Sequence, residues 1–341
     1  MEINQTTSLM GNPARKSGRA MKIIIALLII LALATGTVLA IAKIWQPWWS
    51  PFRPTSEKII EKMLLKMADL KTFHWEAVTN LKSSESAQEI NIKFSGDSDL
   101  TDQQNKKSNV NFEVNAIVEG SGLNANGQII SLKDISYLRI NTLPFPFSLF
   151  VPTQQWIKFD KESLEKLSGK ETTTTISTEE LSKKISEKIV ELVKKKELYS
   201  VQKELANEAI NEITCYHYLI TLNKQAITNL IPDLVNIMKQ YSLPITDEQQ
   251  QSLSEAAANL AEVPMEIWIN KNNNYLSQLK ISQQIDLSKL NSEASGTVAL
   301  DFTLNLKNFN QPVTISAPQQ FITIDELLKN SPFKLASPTE E

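Results

Sequence analysis

The chain of 341 residues carries one cysteine, Cys215, and two histidines, His74 and His217. One thiol excludes an internal disulfide framework and any Cys-rich zinc site, and two imidazoles leave little material for histidine-based metal chemistry. Glycine is scarce too, at nine residues. The nearest approach to a phosphate-cradling loop is Gly120-Ser121-Gly122 with Gly127. It lacks the Gly-Lys-Ser/Thr ending and sits among alternating residues, so it reads as hairpin turns. There is no basic excess either: 35 Lys and Arg stand against 38 Asp and Glu, a net charge of −3, which gives nucleic acid no electrostatic footprint. What is present is a globular composition, 42% apolar and 21% charged, which excludes disorder, collagen and a pure coiled coil.

The first fifty residues concern location. Arg15, Lys16, Arg19 and Lys22 precede an uncharged run, Ile23–Ala42, of the ~20 residues that a helix needs to cross a bilayer core. Lys22 and Lys43 bracket the run, and Trp45, Trp48 and Trp49 follow where an interfacial aromatic belt would sit. The basic flank is N-terminal, so the expectation is a retained single-pass anchor in a cell membrane, N-terminus cytoplasmic, with everything after Lys43 extracytoplasmic. The competing reading is a signal peptide cleaved after Val38-Leu39-Ala40, for which the run is long. No cysteine follows directly to carry a lipid. Without residues 1–43 the exterior part keeps 30 basic and 37 acidic residues, a charge of −7.

Along that exterior part the hydrophobic period changes several times. Pro47, Pro51 and Pro54 make a stiff linker. Thr55 or Ser56 caps a helix to about Leu70, with Ile59, Ile60, Met63, Leu64, Met67 and Leu70 on one stripe. From Lys71 the period is two. Strands are expected over 71–81, 90–94, 110–116, 123–132, 135–141 and 156–160, with turns at Gly96–Asp99, Gln103–Ser108 and Glu119–Gly122. Ser177 with Glu180 forms a capping box for a helix to about Leu198. A strand pair at 199–204 and 213–222 follows. Next come a helix at 225–241 re-started at Pro232, and another capped by Thr246. Strands at 264–270, 275–285 and 296–306 lead to an edge segment, Pro312–Ile315, and Thr323 with Glu326 caps a last short helix.

These pieces resemble the lipoprotein-carrier superfamily, LolA and LolB, and its lipid-binding LppX/LprG-type relatives. The residues that carry the likeness are the helix Ser56–Leu70 running into Thr72-Phe73-His74-Trp75, then Tyr137–Ile140 and Trp156–Phe159 in the meander. They continue with Thr214–Leu222 before a helix, Met265–Lys271, and the closing Gln311–Pro318. The resemblance implies an α+β domain: a strongly curved antiparallel sheet, an open half-barrel, with helices packed on its concave side and acyl chains held between. This chain departs from the pattern in having a spanning anchor and a longer helical insert, about 162–260.

Candidate contacts follow from apolar residues in unusual places. Leu143–Val151 sets Phe145, Phe147 and Phe150 among Pro144, Pro146 and Pro152. It reads as a loop folded over the core, the alternative being a hydrophobic lip or membrane wedge. Ile227, Leu230, Leu234 and Met238 read as a core stripe, the alternative being the lining of an acyl tunnel. Trp75, Tyr218 and Trp268 are strand aromatics placed to pack a sheet face or touch a ligand. Asp97, Asp99 and Asp102 mimic a calcium loop but lack its glycine and closing glutamate, so they read as a turn. Cys215 and His217 share a strand face without a third orienting group, so no nucleophilic pair is expected.

The expected organisation is a cytoplasmic tail (1–22), a transmembrane helix (23–43), a linker (44–55), the exterior domain (56–330) and a tail (331–341). The expected function is non-catalytic binding of a membrane lipid or hydrophobic small molecule. The alternative is a ligand-free cell-envelope module for a protein partner or for sensing. No catalytic residue, metal, cofactor or nucleic acid is expected.

Overall fold

A computed structural model describes residues 53–330 apart from 85–87, 103, 119, 150, 161–162, 164–183, 185–186, 189, 192–197, 241–244, 247, 252, 255–262 and 287–295. The expected anchor with Lys22, Lys43, Trp45, Trp48 and Trp49 lies outside the described residues, as do Phe150, the Ser177–Glu180 box and the 331–341 tail. Among the described residues no helix is long and apolar enough to cross a membrane. The described residues from Thr55 onward belong to one compact unit.

Helix α1 (Ser56–Ala68) leads into five antiparallel strands, β1 (Thr72–Ser83), β2 (Glu89–Asp99), β3 (Lys107–Val118), β4 (Ser121–Leu132) and β5 (Ile135–Thr142). A 3-10 turn, Phe147–Leu149, and β6 (Trp156–Asp160) follow. The second half comprises β7 (Tyr199–Ile210), β8 (Ile213–Leu222), α2 (Lys224–Gln240), β9 (Met265–Asn270), β10 (Leu276–Asp286) and β11 (Thr297–Lys307). It closes with β12 (Ile322–Thr323) and α3 (Ile324–Asn330). All twelve strands join one open, curved sheet in the order β12-β6-β5-β4-β3-β2-β1-β11-β10-β9-β8-β7. The meander β1–β6 and the meander β7–β11 thus meet where the first strand pairs the eleventh, Trp75 opposite Leu306 and Leu81 opposite Leu300.

Because cross-strand partners share a face, the register sorts the side chains into two sets. One set is apolar from β8 to β2: Tyr218 faces Ile267, Ile267 faces Leu279, Leu279 faces Leu304, Leu304 faces Ala77 and Ala77 faces Phe94. Helix α1 packs on this apolar face at β7–β10, burying Ile59, Ile60 and Met63 against Tyr216, Tyr218, Ile267 and Ile269. The opposite face is polar. Across its centre Asn80, Asn91, Asn115 and Asn124 fall in one row, the amide of Asn91 donating to Asn80 and that of Asn124 to Asn115.

Two ends of the sheet can be told apart. Tyr199, first in β7, donates its hydroxyl to the Glu57 carbonyl at 3.1 Å, fixing the start of α1 at what we call the proximal end. The helix finishes at the distal end, where Thr72 begins β1. Strand β7 is one edge, and its pairing to β8 shifts register twice, between Val201 and Lys203 and between Leu205 and Glu208. The other edge is β12, two residues long and parallel to β6.

Four sequence expectations need correction. Gly96–Asp99 is strand rather than turn, because cross-strand pairing to β3 and the Asp97–His74 contact override the turn-forming residues. Pro312–Ile315 forms no strand; proline offers no donor, and the edge pairing falls to β12. Pro232 sits inside a continuous α2 instead of restarting it. Thr55 occupies the N-cap of α1 without a side-chain cap bond. The caps at Thr246 and Thr323 form as expected: Gln249 N donates to Thr246 Oγ1 at 3.2 Å and Glu326 N to Thr323 Oγ1 at 3.3 Å.

Gly127 is set into β4 beneath Phe112, and a Cβ there would come within 2.6 Å of that ring and collide with the Arg139 carbonyl. Gly127→Ala should lower stability by about 1–3 kcal/mol, read as a fall in urea midpoint with unchanged slope. A second test concerns the α1 seam. Burial, reinforced by the charges of Glu57 and Glu61, pushes the Tyr199 phenol up to about 12 from an ordinary 10. The protonated phenol therefore supports folding in full below pH 10 and loses that support as pH climbs through about 12. Tyr199→Phe should abolish this alkaline slope in urea midpoints, at a cost of about 0.5–1.5 kcal/mol at neutral pH for the lost hydrogen bond.

Candidate functional site

The apolar face is only partly covered. Under α1 the side chains of β8 and β9 are shut, Tyr218 being 0% exposed. Beyond β10 the covering thins: Leu306 and, on β6, Ile157 stay buried, but Trp75, Leu81, Phe112, Leu300, Phe302 and Leu304 are half-buried, Phe94 is 38% exposed and Leu123 41%. Eight strands, β11 and β1 to β6 with β10 as border, therefore carry an apolar surface that the seal of α1 does not reach. Such a surface is costly in water and becomes stable only against another apolar body. Within β2 the polarity changes abruptly from Lys93 on one face to Phe94 on the other.

The loop between β5 and β6 lies on the proximal side of the sheet, because β5 runs from its distal start at Ile135, opposite Leu132, toward the proximal end. Phe145 is 77% exposed, Phe147 60% and Leu149 63%, so the expectation that this loop folds over the core is corrected. Prolines explain it: Pro144 and Pro146 remove backbone donors, and the 3-10 turn holds the rings outward with Leu149 N bonded to Pro146 O. The start of α1 and this apolar tip thus share the proximal end.

The remaining predicted residues are dispersed. Trp75 stands on the unsealed apolar face, whereas Tyr218 lies beneath α1 and Trp268 points to the polar face. On α2, Leu230 and Val235 are buried and Ile227, Leu234 and Met238 half-buried. Asp233 of that helix pairs with Lys188 at 3.0 Å, which sets part of the 184–191 segment beside it. The structure does not bring the nine described candidates into one site; Trp75 belongs with Phe94, Phe112, Phe302 and Leu304, which sequence reasoning missed. The missing signal was the β1–β11 pairing, made across more than 200 residues.

On the polar face both histidines sit between carboxylates. His217 lies flat on Trp268, ring centroids 4.2 Å apart, with Nε2 2.8 Å from Glu266 and Nδ1 3.6 Å from Glu208. Trp268 Nε1 donates to Glu208 at 2.9 Å. Cys215 is fully buried, its thiol pushed up by that burial and donating to the Ile213 carbonyl at 3.4 Å. Neither group has the geometry of a nucleophile and its base. His74 is held by Asp97 at 2.8 Å and Glu76 at 3.3 Å. Asp99 and Asp102 accept from the backbone of Thr101 and Gln104, local turns that account for these acids without calcium. Among the described residues no group of three or more His, Cys, Asp or Glu could hold a metal ion.

No protein-family model matches the chain, and no curated protein matches it. Among solved structures it is similar to LprF from Mycobacterium bovis, at 12% identity over 77% of this chain and 96% of that one, TM-score 0.39. It is similar to a LolA superfamily protein from Nitrosomonas europaea, at 12% identity over 76% and 95%, TM-score 0.20. The MucA/MucB complex of Pseudomonas aeruginosa gives 6% identity over 80% and 59%, TM-score 0.26. All three scores lie below 0.5, so the fold described above rests on this chain's own strand pairing. One of these neighbours is described as a member of the LolA superfamily.

Proposed function

We propose that the domain binds an acyl chain or another apolar molecule, without catalysis, on the part of its sheet that α1 leaves open. The observation that carries this reading is the half-exposed row from Leu304 through Ala77 and Phe94 to Phe112, continuous with the sealed core. Each methylene moved from water to such a surface contributes about 0.8 kcal/mol, so a dozen suffice for useful affinity. In this reading residues 23–43 hold the protein in a cell membrane. The linker 44–55, 12 residues long, spans at most about 40 Å. That tether leads to the proximal end, where Phe145, Phe147 and Leu149 extend, so these side chains are the lip across which a lipid passes between bilayer and sheet. The same exposed tip favours a second reading, an envelope module whose apolar end meets a protein partner.

Adjacent residues on opposite faces of β2 separate the readings. Residues 53–341 should bind 11-dansylaminoundecanoic acid stoichiometrically, with a blue-shifted emission. Phe94→Lys should weaken binding at least about tenfold, whereas Lys93→Gln should leave it unchanged. Equal behaviour of the two variants, or no binding at all, would overturn lipid carriage in favour of the protein-partner module.

A further inference from the structure

At the distal end, on the polar face, a groove of about 770 Å³ opens between the β7–β8 turn, the β9–β10 turn and the segment after β11. Its volume is in the range of small-ligand sites, ~300–1,000 Å³. Its chemistry is unlike the apolar face: seven of its lining side chains, those of Asn211, Asn270, Asn273, Gln278, Asn305, Asn308 and Gln311, are carboxamides, joined by the ring of Phe309. The groove's charges cancel. Lys307 bonds Glu76 and holds its carboxyl below the ordinary carboxylate value, so both are ionised and paired.

Part of this amide set has a structural role. Asn273 accepts from Tyr275 N, Gln278 donates to Asn305 at 2.7 Å, and Asn211 takes a left-handed φ of 49° that asparagine tolerates. The rest is used internally only in part. Asn270 is 3% exposed, and its oxygen accepts from Asn272 N at 2.8 Å. Its amide nitrogen donates to no described residue, and among the described residues it is not one of the buried atoms without a hydrogen-bond partner. That nitrogen therefore opens on the groove it lines. The side chains of Asn211 and Gln311 likewise make no hydrogen bond among the described residues.

We propose that this distal groove binds a neutral oligosaccharide. Each carboxamide offers a donor and an acceptor about as far apart as neighbouring sugar hydroxyls, and a groove of cancelled charge selects against anions and cations. The half-buried ring of Phe309, flat against Tyr275 with centroids 4.4 Å apart, supplies the aromatic wall on which sugar C–H groups rest. A peptide strand is a poorer occupant. Strands β1 and β8 to β11, which floor the groove, are already paired on both sides, and the edge strand β7 contributes only its last two residues, Ala209 and Ile210, so most of the free hydrogen-bonding groups are side-chain amides rather than a backbone edge. The site stands apart from the apolar face, and its occupancy does not depend on lipid binding.

The test uses the full chain in phospholipid nanodiscs, with chitotetraose and maltoheptaose as probes and tetra-alanine as the peptide control. Saturation-transfer NMR and calorimetry should show at least one sugar binding with a Kd below about 10 mM, and tetra-alanine not binding. The double variant Asn211→Gly with Gln311→Ala keeps the left-handed turn, and both positions lack internal side-chain bonds. It should weaken sugar binding at least about tenfold while the melting temperature stays unchanged. Asn270→Ala, made separately, should do the same even if it melts lower, provided binding is read on the folded fraction. Absence of binding by both sugars, sugar binding indifferent to the double variant, or binding of tetra-alanine alone would each overturn the proposal.

Discussion

The rest of the structure depends on a mismatch of area. A row of apolar side chains crosses the sheet strand by strand, yet a thirteen-residue helix covers only its β7–β10 sector. Burying the remainder at ~25 cal/mol per Å² would contribute several kcal/mol, and water offers nothing in exchange. A domain whose only purpose was to fold would trim the sheet or lengthen the helix. Here the sector near β1 and β2 is left as a surface, and the stability of the whole is concentrated in the corner beneath α1.

Such a surface survives in a folded protein because the opposite face is equally consistent. The asparagine row on β1–β4, the Gln128–Asn109 and Arg139–Gln128 bonds, and the carboxylate contacts of both histidines tie neighbouring strands through their polar side. A slip of one residue anywhere would bring Lys93 to the apolar face and Phe94 to the polar one, reversing both gains at once. The register is thus specified twice, once by apolar packing and once by amide pairing. The sheet keeps its alignment even where no helix presses on it.

How much of this could be read from residues alone follows from range. The period-two strands, the α1 stripe and the capping boxes at Thr246 and Thr323 are local patterns, and they stand where the alternation placed them. Errors arose where distant pairing decided the outcome. Gly96–Asp99 has turn composition but becomes strand because β3 lies alongside, and Trp268 looks like its neighbour Ile267 until the β8 register assigns it to the other face. The candidate sites were the least legible. The open apolar sector combines β11 with β1, and the distal groove draws its amides from three separated segments, none of them unusual alone. The exposed Phe145–Leu149 tip was visible as an oddity of composition, but only prolines acting on real backbone decided that it faces outward.

The two edges of the sheet have a consequence for solution behaviour. A wide, open sheet with an apolar face is a natural template for stacking copies of itself. Here one border is a two-residue parallel strand under α3, and the other, β7, loses its alignment with β8 twice along its length. Neither presents the straight, evenly spaced ladder that an incoming strand requires. Strand addition is thereby opposed at both rims, and the sheet can expose greasy surface at its centre without offering a regular edge to another copy.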